Sequence, residues 1–175
     1  MLKSMSQEDF ELLEDSALAE NCFEPIIPMI RGKKGAMKKE VYDHLTTGQK
    51  ALFMFSAFYN HARNSFAEFY WWSAYFVAQP ETWSELKWGL RHLGTDKLLH
   101  LIEEIEVCLL KMDFPRSLEN FQVTYNDLDY DSSLYDLLKP LHDTFHELGP
   151  ETLQIIGNFI RMHKKEFITF DSEIE

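Results

Sequence analysis

Apolar residues recur at three- and four-residue intervals along most of the chain, and this periodicity predicts an all-α protein. The first stripe, Phe10, Leu13, Ala17 and Leu18, runs toward Asn21. Ser6 is placed to cap it, with Asp9 at the third position after the cap. Glu8, Glu11 and Asp15 fall on the other side of that helix. Pro25 and Pro28 interrupt the pattern, and Arg31-Gly-Lys-Lys-Gly35 reads as an exposed turn before a short helix from Met37 to His44. Thr46 or Thr47 then caps a helix with Leu52, Phe55, Phe58 and Tyr59 on one side, ending near His61.

The segment from Asn64 to Phe76 carries seven aromatic side chains in thirteen positions. Phe66, Phe69, Tyr70, Trp72, Tyr75 and Phe76 are spaced for a broad apolar helical face over residues 64–78, and a stripe that wide has to be buried. Pro80 suits the first turn of the next helix, whose buried face is Trp83, Leu86, Leu90 and Leu93. Gly94 ends it and Thr95 caps its successor, in which Leu98, Leu99, Ile102, Ile105, Cys108, Leu109 and Met112 form one stripe. A glycine followed at once by a cap residue implies a tight turn between antiparallel neighbours.

Pro115 stops that run. From there to about Ser132 a long acidic loop is expected, with a short strand at Phe121 to Tyr125. A further helix reaches Leu148, Gly149-Pro150 breaks it, and a last one carries Leu153, Ile156, Phe159, Ile160, His163 and Phe167. With no repeat, low-complexity tract or linker, the expectation is one domain over 1–175, a bundle of about six to seven helices.

Charge sharpens this picture. The chain is formally −12, yet Arg31, Lys33, Lys34, Lys38 and Lys39 lie within nine residues, which leaves 12 basic against 29 acidic residues elsewhere. Seven carboxylates fall in residues 1–24, and nine in residues 113–151. Such a balance argues against a nucleic-acid-binding surface over most of the molecule, because binding a phosphate backbone requires Lys and Arg. The opening residues turn acidic where a signal peptide needs an apolar core, and the longest apolar run is too short to cross a bilayer, so a cytoplasmic protein is expected. Cys22 and Cys108 lie far apart without metal-ligand spacing and read as reduced core thiols.

Few motifs suggest chemistry. His142-Asp-Thr-Phe-His146 sets two imidazoles one helical turn apart, with a third ligand to come from His44 or His61. His44, His142 and His146 are in this respect similar to the ligands of the damage-inducible metal-binding bundles, and a metal-dependent helical enzyme is the alternative reading. Asp143 is one methylene shorter than the Glu of a metalloprotease, so the expectation remains no metal and no cofactor. Asp127-Leu-Asp-Tyr-Asp131 opens like a calcium loop, but Ser132 stands where Gly is needed and Leu138 where a bidentate Glu is needed. In extended backbone its three carboxylates would instead form a row about 6.5 Å apart. Nucleophile-elbow, Walker and Rossmann signatures are all missing.

Read in order, Gly48-Gln-Lys-Ala-Leu52, Asn64-Ser-Phe-Ala-Glu-Phe-Tyr70, Leu90-Arg-His-Leu-Gly-Thr-Asp-Lys-Leu-Leu99 and Phe159-Ile-Arg-Met-His-Lys-Lys-Glu-Phe167 resemble successive landmarks of the DNA-mimic-protein-like domain family, bacterial helical proteins mostly of unknown function. The resemblance covers about residues 46–168. Ser65 stands where the family has a glycine pair, and Glu68 where it often has Gln. It implies an all-helical fold without known catalytic residues, and a negative surface as the working surface. The resulting expectation is a non-enzymatic acidic interaction protein, a DNA mimic in its narrowest form. Its partner is then a basic protein such as a DNA-binding regulator, with no direct nucleic acid and no membrane, and with a homodimer left open. The carboxylates expected to meet the partner are Glu8, Glu11 and Asp15 on the first helix, and Asp127, Asp129 and Asp131 in the acidic loop.

Overall fold

A computed structural model describes residues 2–171; Met1 and residues 172–175, the two ends of the expected domain, lie outside the described part. The fold is mostly helical. In chain order it comprises β1 (Lys3–Met5), α1 (Gln7–Leu12), α2 (Asp15–Phe23), α3 (Ile27–Ile30), α4 (Gly35–Asp43), α5 (Thr47–Ala62), α6 (Phe66–Val77), α7 (Pro80–His92), α8 (Asp96–Lys111), α9 (Asp127–Tyr130), α10 (Ser132–Met162) and β2 (Ile168–Phe170).

The core forms where α5, α6, α7 and α10 meet. Phe58 of α5 packs edge-on against Phe76, Trp83 and Phe145, with ring centroids 5.4, 6.2 and 6.0 Å away, and so ties one residue from each of the other three helices into a single cluster. Each of these rings is buried. Edge-to-face pairs add to the burial of their area, which is why the aromatic α6 belongs at the centre. Its other side is wetter: Trp71, Trp72 and Tyr75 are half-buried, and Trp71 and Tyr75 pack with Phe121 of the segment before α9. Trp71 Nε1 donates to the Val123 carbonyl at 3.1 Å. That segment is irregular, so the strand expected at Phe121 to Tyr125 is not formed, and side-chain anchoring on α6 takes the place of ladder pairing.

Local signals placed several helix starts where they form. Ser6 accepts from Asp9 N, Ser65 accepts from Glu68 N, and Thr46 with Gln49 builds a reciprocal capping box at the start of α5. Gly94 takes the left-handed conformation, φ 75°, between α7 and α8. Thr95 follows as expected, but its hydroxyl bonds back to the Leu90 carbonyl at 3.0 Å and so closes α7 rather than capping α8.

Other expectations are corrected. The first helix is two: α1 stops at Leu12, and α2 starts at Asp15. The last two are one, because α10 continues through Gly149, Pro140 and Pro150 over 31 residues. Proline removes the bond to the carbonyl four residues back, which frees the Asp136 and His146 carbonyls. Both prolines are exposed, as are Asp136 and His146, so water can satisfy those carbonyls and the helix survives. A two-stranded parallel sheet also joins the ends of the chain, with Lys3 opposite Ile168 and Met5 opposite Phe170. Both cysteines are free; Cys22 is buried as expected, whereas Cys108 is only half-buried.

The break between α1 and α2 has a tertiary cause. A Cβ on Gly157 of α10 would lie 2.1 Å from the Asp15 carbonyl oxygen, so only glycine lets the two backbones come this close. Four residues on, Arg161 donates to the Asp15 carboxylate at 2.5 Å, to the Phe10 carbonyl at 2.9 Å and to the Leu13 carbonyl. One guanidinium thus takes up the carbonyls of the broken turn. Replacing Gly157 by Ala should lower the urea-unfolding free energy by about 3 kcal/mol or more, as forced overpacking against a backbone does. Gly35→Ala, where a Cβ meets nothing within 4 Å, should be neutral or slightly stabilising. Equal midpoints for the two variants would show that the α2–α10 approach is not tight.

Candidate functional site

The carboxylates expected to form two rows are placed very differently from one another. Glu8 and Glu11 are exposed on α1, and Glu11 accepts from Gln7 Nε2 at 2.9 Å. Asp15 is separated from them by the helix break and paired with Arg161, so it does not extend their row. The 127–131 segment is a helical turn rather than extended chain. Asp127 accepts from Tyr70 Oη at 2.7 Å and from Thr124 N and Oγ1 at 3.0 and 2.6 Å. Burial opposes its ionisation, but the Thr124 and Tyr70 hydrogen bonds win and hold its carboxyl below the ordinary value. Asp131 caps α10, accepting from Ser133 N and Leu134 N. Of the three, Asp129 is left exposed with no such structural task.

A longer acidic surface lies on α10. Its buried stripe includes Leu134, Leu138, Phe145, Thr152, Ile156 and Ile160. On the opposite side Asp136, Asp143, Glu147 and Glu151 are exposed, and at 100° per residue they fall within roughly 80° of one another over roughly 22 Å of rise. Lys139 bonds Asp143 one turn away, and Lys97 of α8 bonds Glu151 at 2.7 Å. The Lys139 hydrogen bond, first of several causes, draws the Asp143 carboxyl below its ordinary value. Asp136 and Glu147 have no ion pair among the described residues. Sequence reasoning missed this row because Gly149-Pro150 was read as a break, which removed Glu151 from the register of the other three. The signal was present in the i, i+7, i+11, i+15 spacing.

The two imidazoles of His142 and His146 do come together, Nε2 to Nε2 at 3.0 Å, so one donates to the other. His142 sits against Phe66 and Phe69, with centroids 5.1 and 5.3 Å away. Neither proposed third ligand joins them: His44 Nδ1 lies 2.7 Å from the Glu40 carbonyl, and His61 stacks on Trp72. Among the described residues no three His, Cys, Asp or Glu side chains are grouped to hold a metal ion. The arrangement provides two donors where a tetrahedral site with protein ligands needs three or four.

No family model, no curated protein and no solved structure matches this chain. The segments that carry the resemblance fall at helix junctions. Gly48 and Gln49 lie in the first turn of α5, residues 64–70 run from the α5–α6 turn into α6, residues 90–99 span the α7–α8 turn, and residues 159–167 run from the last turn of α10 to just before β2. The first and last of these touch: Gly48 N donates to the Glu166 carboxylate at 2.6 Å, and a Cβ on Gly48 would lie 2.6 Å from the Phe167 ring.

The histidine pair generates a pH prediction. Burial, then the neighbouring His146, lowers the His142 pKa, while Asp143 opposes. The native state therefore takes up a proton on His142 less readily than the unfolded chain does. Stability is intact above the unfolded value, about 6.5, and falls as pH drops through it toward the native value. Urea midpoints should decrease between about pH 7.5 and about pH 5.5 and decrease less in His142→Leu. Some slope should persist, since burial also lowers the pKa of His61. An unchanged slope in the variant would assign the effect elsewhere.

Proposed function

We propose that the chain is a non-enzymatic acidic interaction protein, acting in the cytoplasm, whose carboxylate faces bind a basic protein partner. The observation that carries this reading is the α10 row. A single 31-residue helix, anchored along its length by buried side chains, holds Asp136, Asp143, Glu147 and Glu151 on its outer face. Fixed rows of charge raise the association rate with complementary surfaces and set register, which scattered charge does not. The ion pairs to Lys139 and Lys97 do not block such binding. Exposed pairs contribute about 1 kcal/mol or less and exchange readily for a partner's Arg or Lys. Glu8, Glu11 and Asp129 supply further exposed acids, whereas Asp15, Asp127 and Asp131 serve mainly to hold the fold.

DNA mimicry is the narrower form of the same proposal, supported by the net charge and by the family resemblance. Charge density limits it: the α10 row offers roughly one charge per 7–8 Å, against one per about 1.7 Å along duplex DNA. Imitation of a duplex therefore needs acids from neighbouring elements as well, while recognition of a basic helix or loop needs the row alone.

The test compares the wild-type protein with a variant carrying Asp136→Asn, Asp143→Asn, Glu147→Gln and Glu151→Gln, both immobilised and exposed to cell lysate at low salt. Wild type should retain basic proteins that elute as salt rises to about 0.5 M, where screening shortens to a few ångströms. The variant should retain them poorly while melting at a similar temperature. Competition by added duplex DNA would mark the captured protein as a DNA binder and favour the mimic. Capture that survives both neutralisation and salt would reject the acidic face as the binding surface.

A further inference from the structure

The acidic row makes no use of the His142 and His146 pair, whose geometry is set by the fold. Both side chains project from the middle of α10, four residues and so about one turn apart. His142 is half-buried and packs against the Phe66 and Phe69 rings of α6, which fixes the plane of its imidazole. His146 is exposed, and the terminal torsion of a histidine is broad. One ring nitrogen is thus held in place and the other adjusts to it.

Their separation matches one coordination geometry better than another. Imidazole nitrogens bind late first-row divalent ions at about 2.0–2.1 Å. Two of them at a right angle then stand about 2.9 Å apart, and at the tetrahedral angle about 3.3 Å. The two Nε2 atoms are 3.0 Å apart, nearer the right angle of a tetragonal ion. Such an ion takes the place of the hydrogen the two nitrogens share. That hydrogen passes to Nδ1 of its own ring, so both imidazoles stay neutral and both Nε2 lone pairs face the metal. Nδ1 of His142 is buried without a hydrogen-bond partner among the described residues, and the Asp143 carboxylate lies 3.6 Å from it. Metal-bound histidines direct their second N–H at such an acceptor. Lys139, the nearby cation, is paired with Asp143, and the negative field of the molecule favours a cation here.

We propose that His142 and His146 chelate a divalent copper or nickel ion through their Nε2 atoms, with water in the remaining positions. Two protein donors and water suffice for a tetragonal ion, whereas a closed tetrahedral zinc site requires more than this surface offers. Neither His44 nor His61 takes part. The chelate is a binding site rather than a catalytic one, and it stands or falls independently of the carboxylate row.

The test titrates copper(II), the ion of highest affinity in its series, into the untagged and metal-stripped chain. Electron paramagnetic resonance in a non-coordinating buffer counts the bound nitrogens, and calorimetry against glycine as competitor gives the affinity. The first equivalent should show a tetragonal signal split by two nitrogens. His146→Ala, at an exposed position, should reduce the splitting to one nitrogen and weaken the first site about a hundredfold, because the second imidazole of a chelate binds at high effective concentration. His142→Phe, which keeps a ring against Phe66 and Phe69, should have the same effect and serves should the first variant not fold. His163→Ala, whose ring stacks on Phe159 instead, should leave the first site unchanged. No saturable first equivalent, a signal from a single nitrogen, undiminished affinity in His146→Ala, or an equal loss in His163→Ala would each overturn the proposal.

Discussion

The near-contact of two backbones at Gly157 and Asp15 sets the geometry from which the rest of the molecule follows. Because α10 can lie directly on the start of α2, its buried stripe reaches the interior and Phe145 arrives beside Phe58. Arg161 then closes the arrangement by gathering the Asp15 carboxylate and two carbonyls that the broken α1–α2 turn leaves over. Part-buried charge-assisted bonds of this kind are strong, and losing the guanidinium would strand several acceptors at once. Gly149 repeats the device higher on α10, where a Cβ would stand 2.6 Å from the Tyr59 hydroxyl. The long helix is therefore fitted to its neighbours at two glycines and runs unbroken past two prolines.

Sequence alone showed those features that a few neighbouring residues decide. The caps at Ser6 and at Thr46, one of the two threonines expected, and the helix end at Gly94 are local chemistry, and each is where the pattern placed it. What stayed hidden depends on residues far apart in the chain. The division of the first helix needs Arg161, some 150 positions away, and an apolar stripe continuing through Leu13 pointed the other way. The Gly149-Pro150 pair carries a strong local preference for a break, overridden here because Phe145 and Thr152 on either side of it are held by packing. The pairing of Lys3–Met5 with Ile168–Phe170 spans nearly the whole chain and has too few residues to show an alternating pattern.

The same distinction governs the candidate site. Counting acids shows where carboxylates are dense, but a carboxylate's availability depends on its partners, and these are tertiary. Asp127 looked like a member of an open row and is instead the acceptor that holds Tyr70 and Thr124 together. Asp15 looked like the end of a helical row and is Arg161's counterion. Conversely, Glu151 gained a place in a row once α10 proved continuous. Helical register, rather than local acid density, makes the α10 face a surface.

Charge segregation gives the molecule a long-range field of its own. Outside residues 31–39 the chain carries a net charge of −17, from 12 basic and 29 acidic residues, so a basic partner approaching α10 is attracted from a distance. Added salt screens the far field first, because the Debye length of about 10 Å at 0.1 M exceeds the reach of the local contact. Moderate salt should accordingly slow association at α10 before it weakens the short-range contacts made there.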